Sequence, residues 1–148
     1  MRVREIMSAP VDTASPAMRL DDATAVMHGL GVHHLIVTSA GEVVGVLSDS
    51  DIAKVGSKPL ADLHVGDVMR THVATIDQNE TVRRAANLMR GRNIECLVVM
   101  DGARLRGVVT VSDLLAVLGR GVDRRESGAR ASLHYRVRHT RQHGPPRW

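Results

Sequence analysis

Aromatic side chains are nearly missing from this 148-residue chain. There is no Phe, and the single Tyr and single Trp, Tyr135 and Trp148, both lie close to the C-terminus. A core without aromatics must pack from Val, Leu, Ile, Ala and Met. A sheet without them cannot stack bases, which removes the usual platform of RNA- and single-strand-binding domains. Cysteine is almost as scarce: Cys96 is alone, so an internal disulfide and a CxxC site are both excluded, and a reducing, cytoplasmic setting is expected. No run of 18 apolar residues occurs, and the opening MRVREIMSAP has no apolar signal stretch. A membrane-spanning or secreted protein is therefore not expected. With 43% hydrophobic residues the chain can still bury a sizeable core.

Net positive charge is missing from the body and confined to the tail. Residues 1–118 hold 12 Lys and Arg against 14 Asp and Glu, whereas residues 119–148 hold eight Arg against Asp123 and Glu126. The net charge of +4 is thus a property of the last segment, not of the globular part.

An internal repeat organises the rest. A gap-free shift of 62 residues places Val3-Arg-Glu-Ile-Met7 on Val65-Gly-Asp-Val-Met69 and Val11 and Thr13 on Val73 and Thr75. It also places Ala23, Met27 and Gly29 on Ala85, Met89 and Gly91, and Leu35 and Val37 on Leu97 and Val99. The same register brings Gly45-Val-Leu-Ser48-Asp-Ser-Asp51 onto Gly107-Val-Val-Thr110-Val-Ser-Asp113. Each copy reads as a short extended piece, a helix, two strands joined by a tight turn, and a second helix. The first helix is expected over 20–30 and 81–90, where apolar residues recur on one face. The strands are expected near 35–37 and 43–47, then 97–100 and 105–109, and the last helices over 48–55 and 110–118. The fold class is α/β (α+β), with β-α-β-β-α built twice. The divisions are a first unit at 1–57, a linker at 58–64, a second unit at 65–118 and an Arg-rich tail at 119–148. Halves of this size gain by packing together to complete one core.

The strand-to-helix junction, present twice, is where chemistry concentrates. Read alone, Ser48-x-x-Asp51 or Thr110-x-x-Asp113 is a capping box, the hydroxyl capping the helix and the carboxylate bonding back to the cap amide. A second reading is a nucleotide site, in which amides attract phosphate while the hydroxyl and carboxylate bond ribose hydroxyls. No Walker sequence, dinucleotide fingerprint, G-x-S-x-G elbow or HExxH is present, so no catalytic residues and no metal site are assigned.

Two such units in tandem resemble CBS domains, and the pair resembles a Bateman module. The resemblance rests on the Val-x-x-Ile/Val-Met opening and the Gly-h-h-Ser/Thr-x-x-Asp junction (h, apolar), both duplicated in register over residues 1–118. It implies two units packed as a pseudo-twofold pair with ligand clefts between them. It implies a non-enzymatic sensor that binds AMP, ADP, ATP or S-adenosylmethionine, needs no other cofactor, forms a homodimer and signals to an unidentified protein partner. The implied ribose contacts are Ser48 and Asp51, and Thr110 and Asp113, with Gly45 and Gly107 of the same junctions among the implied ligand-binding residues. The adenine contacts fall on Val32 and His33, and on Ile94 and Glu95. The two copies then differ: His33-His34 precedes one strand and Glu95-Cys96 the other, so phosphate contact is expected near His33 and His34. The family's frequent Pro in this strand is replaced by Ile36 and Val98.

The tail carries the alternative function. Leu133, Tyr135 and Val137 alternate with His134, Arg136 and Arg138, a strand-like period in a basic context. A scaffold acting through this arm, on a protein or nucleic acid and with empty clefts, is the rival reading.

Overall fold

The computed structural model describes residues 1–120. The expected tail segment, apart from Gly119 and Arg120, lies outside the described residues.

The first repeat contributes β1 (Thr13–Ala14), α1 (Leu20–Leu30), β2 (His34–Ser39), β3 (Glu42–Ser48) and α2 (Asp49–Ala53). A short α3 (Val65–Val68) follows, and then the second repeat gives β4 (Thr75–Asp77), α4 (Val82–Arg92), β5 (Cys96–Asp101), β6 (Arg104–Thr110) and α5 (Val111–Gly119). The expected order is present in both copies. Each sheet has three strands, β1-β2-β3 and β4-β5-β6, with the outer pairing parallel on one side and antiparallel on the other.

Local chemistry accounts for the boundaries. Helix α1 buries Leu20, Ala23 and Met27 on one face and stops at Gly31, whose left-handed backbone (φ 65°) returns its N–H to the last turn. Asn93 does the same for α4 at φ 52°, a conformation Asn tolerates better than most side chains. The β2–β3 hairpin turns on Ala40-Gly41, both at positive φ, as a two-residue loop between right-twisted strands requires. A register shift recurs at Val37/Thr38 and Val99/Met100, equivalent positions in the two repeats. The continuous apolar runs Leu35-Ile-Val37 and Leu97-Val-Val99 are buried throughout, so both faces of each central strand are shielded from water.

The described residues form two compact units, and these do not follow the repeat boundaries. One is Asp12–Val73; the other joins Met1–Val11 to residues 74–120. Each repeat's opening peptide therefore lies with the strands of the other repeat. Ser8 and Val108 exchange backbone hydrogen bonds (Ser8 N to Val108 O 2.9 Å, Val108 N to Ser8 O 3.1 Å), and Arg70 and Val46 do likewise at 2.9 and 3.0 Å. Val3 and Ile6 are buried with Ile76, Met89, Leu97, Val99 and Val109, whereas Val65 is buried with Leu20, Met27, Leu35 and Leu47. Two clusters of buried side chains are present, each completed by the opposite repeat's opening, and Ile36, Val98 and Val108 are buried outside both. The divisions 1–57 and 65–118 describe the duplication in sequence; in space the openings are exchanged.

Candidate functional site

Each junction starts from a glycine whose replacement would force its neighbours to shift. A Cβ on Gly45 would lie 2.7 Å from Met69 Sδ and 2.9 Å from the Arg70 carbonyl. A Cβ on Gly107 would lie 2.7 Å from Met7 Sδ and 2.8 Å from the Ser8 carbonyl. The opening methionine and the junction glycine, separate motifs in the sequence, are thus two halves of one contact. Bare backbone at the glycine lets the opening peptide add to the strand edge just before the Ser/Thr-x-x-Asp turn.

At the first junction Ser48 caps α2. Its Oγ accepts from the Asp51 N–H (3.1 Å) and donates to Asp51 Oδ2 (2.7 Å), while Asp51 Oδ2 also accepts from the Ser48 N–H (3.1 Å). Asp51 is buried, and its other oxygen, Oδ1, accepts from Arg70 Nε at 2.8 Å. Burial disfavours the charged carboxylate, but the hydrogen bonds from Ser48 and Arg70 outweigh it and hold the group below the usual carboxylate range. At the second junction Asp113, also buried, accepts from the Thr110 N–H (2.8 Å) and hydroxyl (3.2 Å) through Oδ2. The capping-box geometry is therefore present in both copies, and it presents a hydroxyl and a carboxylate side by side. A carboxylate offers about four acceptor positions, and the three bonds to Asp51 leave room for one more donor.

The remaining expected residues flank these turns. His33 and Glu95 accept, through their carbonyls, from the N–H groups of Asp49 (3.1 Å) and Val111 (3.0 Å), so each sits against the start of α2 or α5. The exposed His33 ring places Nδ1 2.6 Å from Asp49 Oδ2, so this histidine already has an acidic partner where a phosphate was expected. His34 is half-buried and pairs in register with Ser48; Cys96 pairs with Thr110 in the same way. Val32 and Ile94 are half-buried and pack on the two apolar clusters rather than standing free. Cys96 is half-buried, and desolvation, with the nearby Asp113 charge adding to it, pushes the thiol up to about 12. A cavity of about 420 Å³ lies beside the first junction, lined by Thr24, Met27, Val32, His33, Asp49 and Ile52 among others.

Arg70 escaped the sequence reading. It directly follows the Met69 of the opening motif, and the 62-residue register places it opposite Ser8. Only the exchange of openings shows that it reaches Asp51. Among the described residues no group of three or more His, Cys, Asp or Glu is placed to hold a metal ion, and no helix is long and apolar enough to cross a membrane.

These features define a duplicated α/β module with a paired hydroxyl–carboxylate turn in each half. The sequence pattern of the CBS domain matches residues 3–58 and 65–120. The chain belongs to the CBS-domain family, and CBS-domain pairs are generally non-catalytic regulatory modules. A CBS domain-containing protein of Dictyostelium discoideum is 32% identical over 130 residues, covering 78% of this chain and 90% of that one. The crystal structure of the CBS domain pair of protein MJ0100, in complex with 5′-methylthioadenosine and S-adenosyl-L-methionine, superposes with a TM-score of 0.74. It is 27% identical, over 80% of this chain and 96% of that one. A homoserine O-acetyltransferase of Methanohalobium evestigatum is 31% identical over 114 residues, spanning 76% of this chain but 23% of the enzyme. Against that enzyme and the MJ1404 protein of Methanocaldococcus jannaschii, the chain spans about a fifth of the relative's length.

Proposed function

We propose that this protein is a non-catalytic sensor whose Ser48–Asp51 and Thr110–Asp113 turns hold the ribose of an adenosine-containing ligand, with occupancy passed to a protein partner. The ligand class is AMP, ADP, ATP or S-adenosylmethionine, the working form is a homodimer, and the compartment is the cytoplasm. The observation that carries the reading is the buried carboxylate fixed against a hydroxyl at both turns. Asp51 and Asp113 are oriented by their own Ser48 and Thr110, so a vicinal diol meets an acceptor that needs no rearrangement. The adenosine ligands of the MJ0100 pair, a relative of the same fold, support the ligand class. With no aromatic residue in 1–118, a purine at these turns would lie against aliphatic side chains and backbone.

Signalling requires that the ligand bind two conformational or assembly states unequally, since equal affinity shifts nothing. Thermal unfolding in the presence of AMP, ADP, ATP and S-adenosylmethionine tests the ligand class. A binding member at about a hundred times its Kd stabilises the native state by roughly 2.7 kcal/mol. No shift with any of the four would overturn the reading.

A further inference from the structure

The two turns are not electrostatic equals. Around the first stand Asp49 and Asp51 together with Arg70, His33 and His34; at the matching positions of the second stand Val111 and Asp113 with Ser8, Glu95 and Cys96. The difference that bears on the turn's own carboxylate with a definite geometry is Arg70. Its backbone is fixed by the two hydrogen bonds to Val46, and its Nε is fixed on Asp51 Oδ1. That single bond uses one of five guanidinium donors. Its terminal amino groups form no hydrogen bond among the described residues, and the side chain is 54% exposed.

We propose that Arg70 is a specificity-determining residue that makes the Ser48–Asp51 turn select a phosphorylated nucleoside, while the Thr110–Asp113 turn takes an uncharged or cationic one. The inference rests on the reading that these turns hold ribose. A sugar hydroxyl bonded to Asp51 puts the rest of the same sugar beside the anchored guanidinium. Its unused fork of donors matches phosphate oxygens, two at a time. Because Nε is already seated on the carboxylate, little side-chain freedom is lost when the fork engages. Ser8 supplies no cation at the equivalent place, and Glu95 adds an acidic residue at that turn, which disfavours an anionic ligand.

The test compares AMP with adenosine by isothermal titration of the full-length protein and three variants. Arg70→Ser copies the second turn into the first, Arg70→Gln keeps a donor for Asp51 but removes the charge, and Ser8→Arg copies the first turn into the second. In Arg70→Gln, which still bonds Asp51, AMP affinity is expected to fall about tenfold or more and by a larger factor than adenosine affinity; in Arg70→Ser, which strips Asp51 of a partner, both fall and AMP falls further. Ser8→Arg is expected to raise AMP affinity at the weaker site. Equal losses of AMP and adenosine binding would assign Arg70 a purely structural role and overturn the proposal, as would an unchanged AMP affinity. Binding of neither ligand by the unaltered protein would overturn the ribose reading itself, a result distinct from both.

Discussion

Arg70 and Asp51 form a charge pair with only one end in water: Nε and Oδ1 are 2.8 Å apart, and the side chains are 54% and 8% exposed. The exposed arginine gains little from the pairing on its own account. The buried carboxylate depends on it, because a desolvated charge without partners is costly.

Acid should therefore erode stability through Asp51. Its carboxyl titrates below the usual range in the native state, while in the unfolded chain an Asp titrates near 3.9. Above that pH both states are ionised and the stabilisation is fully present; as pH falls through the lower native value it is lost. Asp51→Asn should cost about 1–3 kcal/mol at pH 7, with a smaller difference from the unaltered protein at pH 3. Urea unfolding at the two pH values measures this; an equal difference at both would contradict it.

Both junction glycines should resist substitution by alanine. Gly45→Ala and Gly107→Ala place a methyl group under 3.0 Å from a methionine sulfur and from a backbone carbonyl. The sulfur can swing aside, but the carbonyl belongs to the strand-edge pairing and moves only by opening it. A loss of about 1–3 kcal/mol is expected for each in urea unfolding. A neutral effect would show that the opening peptides are loosely held.

The exchanged openings make a prediction about place. Ile6, in the first repeat's sequence, is buried among second-repeat side chains. Ile6→Ala should cost about 2–5 kcal/mol and should accelerate amide exchange in β5 and β6 ahead of β2 and β3. Faster exchange confined to β2 and β3 would contradict the exchange.

Cys96 should be a slow thiol. Raised from its ordinary value near 9 to about 12, it stays protonated in the native state at neutral pH. Native protein should react sluggishly with a disulfide reagent and rapidly once unfolded. Since the unfolded thiol ionises first as pH rises above about 9, this group withdraws stability in the alkaline range by up to about 1.4 kcal/mol per pH unit. Rapid native labelling at pH 7 would refute the burial.

Much of this molecule is legible in its sequence, because duplication supplies an internal control. Leu20–Leu30 is α1 to the residue, since its apolar face and the following Gly31 both mark it. The strands run one or two residues beyond their apolar cores, as with His34 and Ser39 around Leu35–Val37, because pairing continues past the buried residues. The Ser48 and Thr110 turns were visible as motifs and are present as geometry. Hidden from the sequence was the partner of each opening peptide: a 62-residue register shows that Met7 resembles Met69, not that Met7 packs on Gly107. Arg70 stayed hidden for the same reason. Its role depends on a carboxylate 19 residues earlier, brought close only by the exchanged opening.

The central claim, that the two carboxylate turns bind an adenosine-containing ligand, is tested most directly by isothermal titration of AMP and S-adenosylmethionine into the unaltered protein and into Asp51→Asn, Asp113→Asn. Cooperative unfolding of the double variant serves as the control for its fold. Saturable binding of at least one ligand to the unaltered protein is expected, with a loss of about tenfold or more in the variant. Absence of binding to the unaltered protein, or equal affinity in the folded double variant, would contradict it.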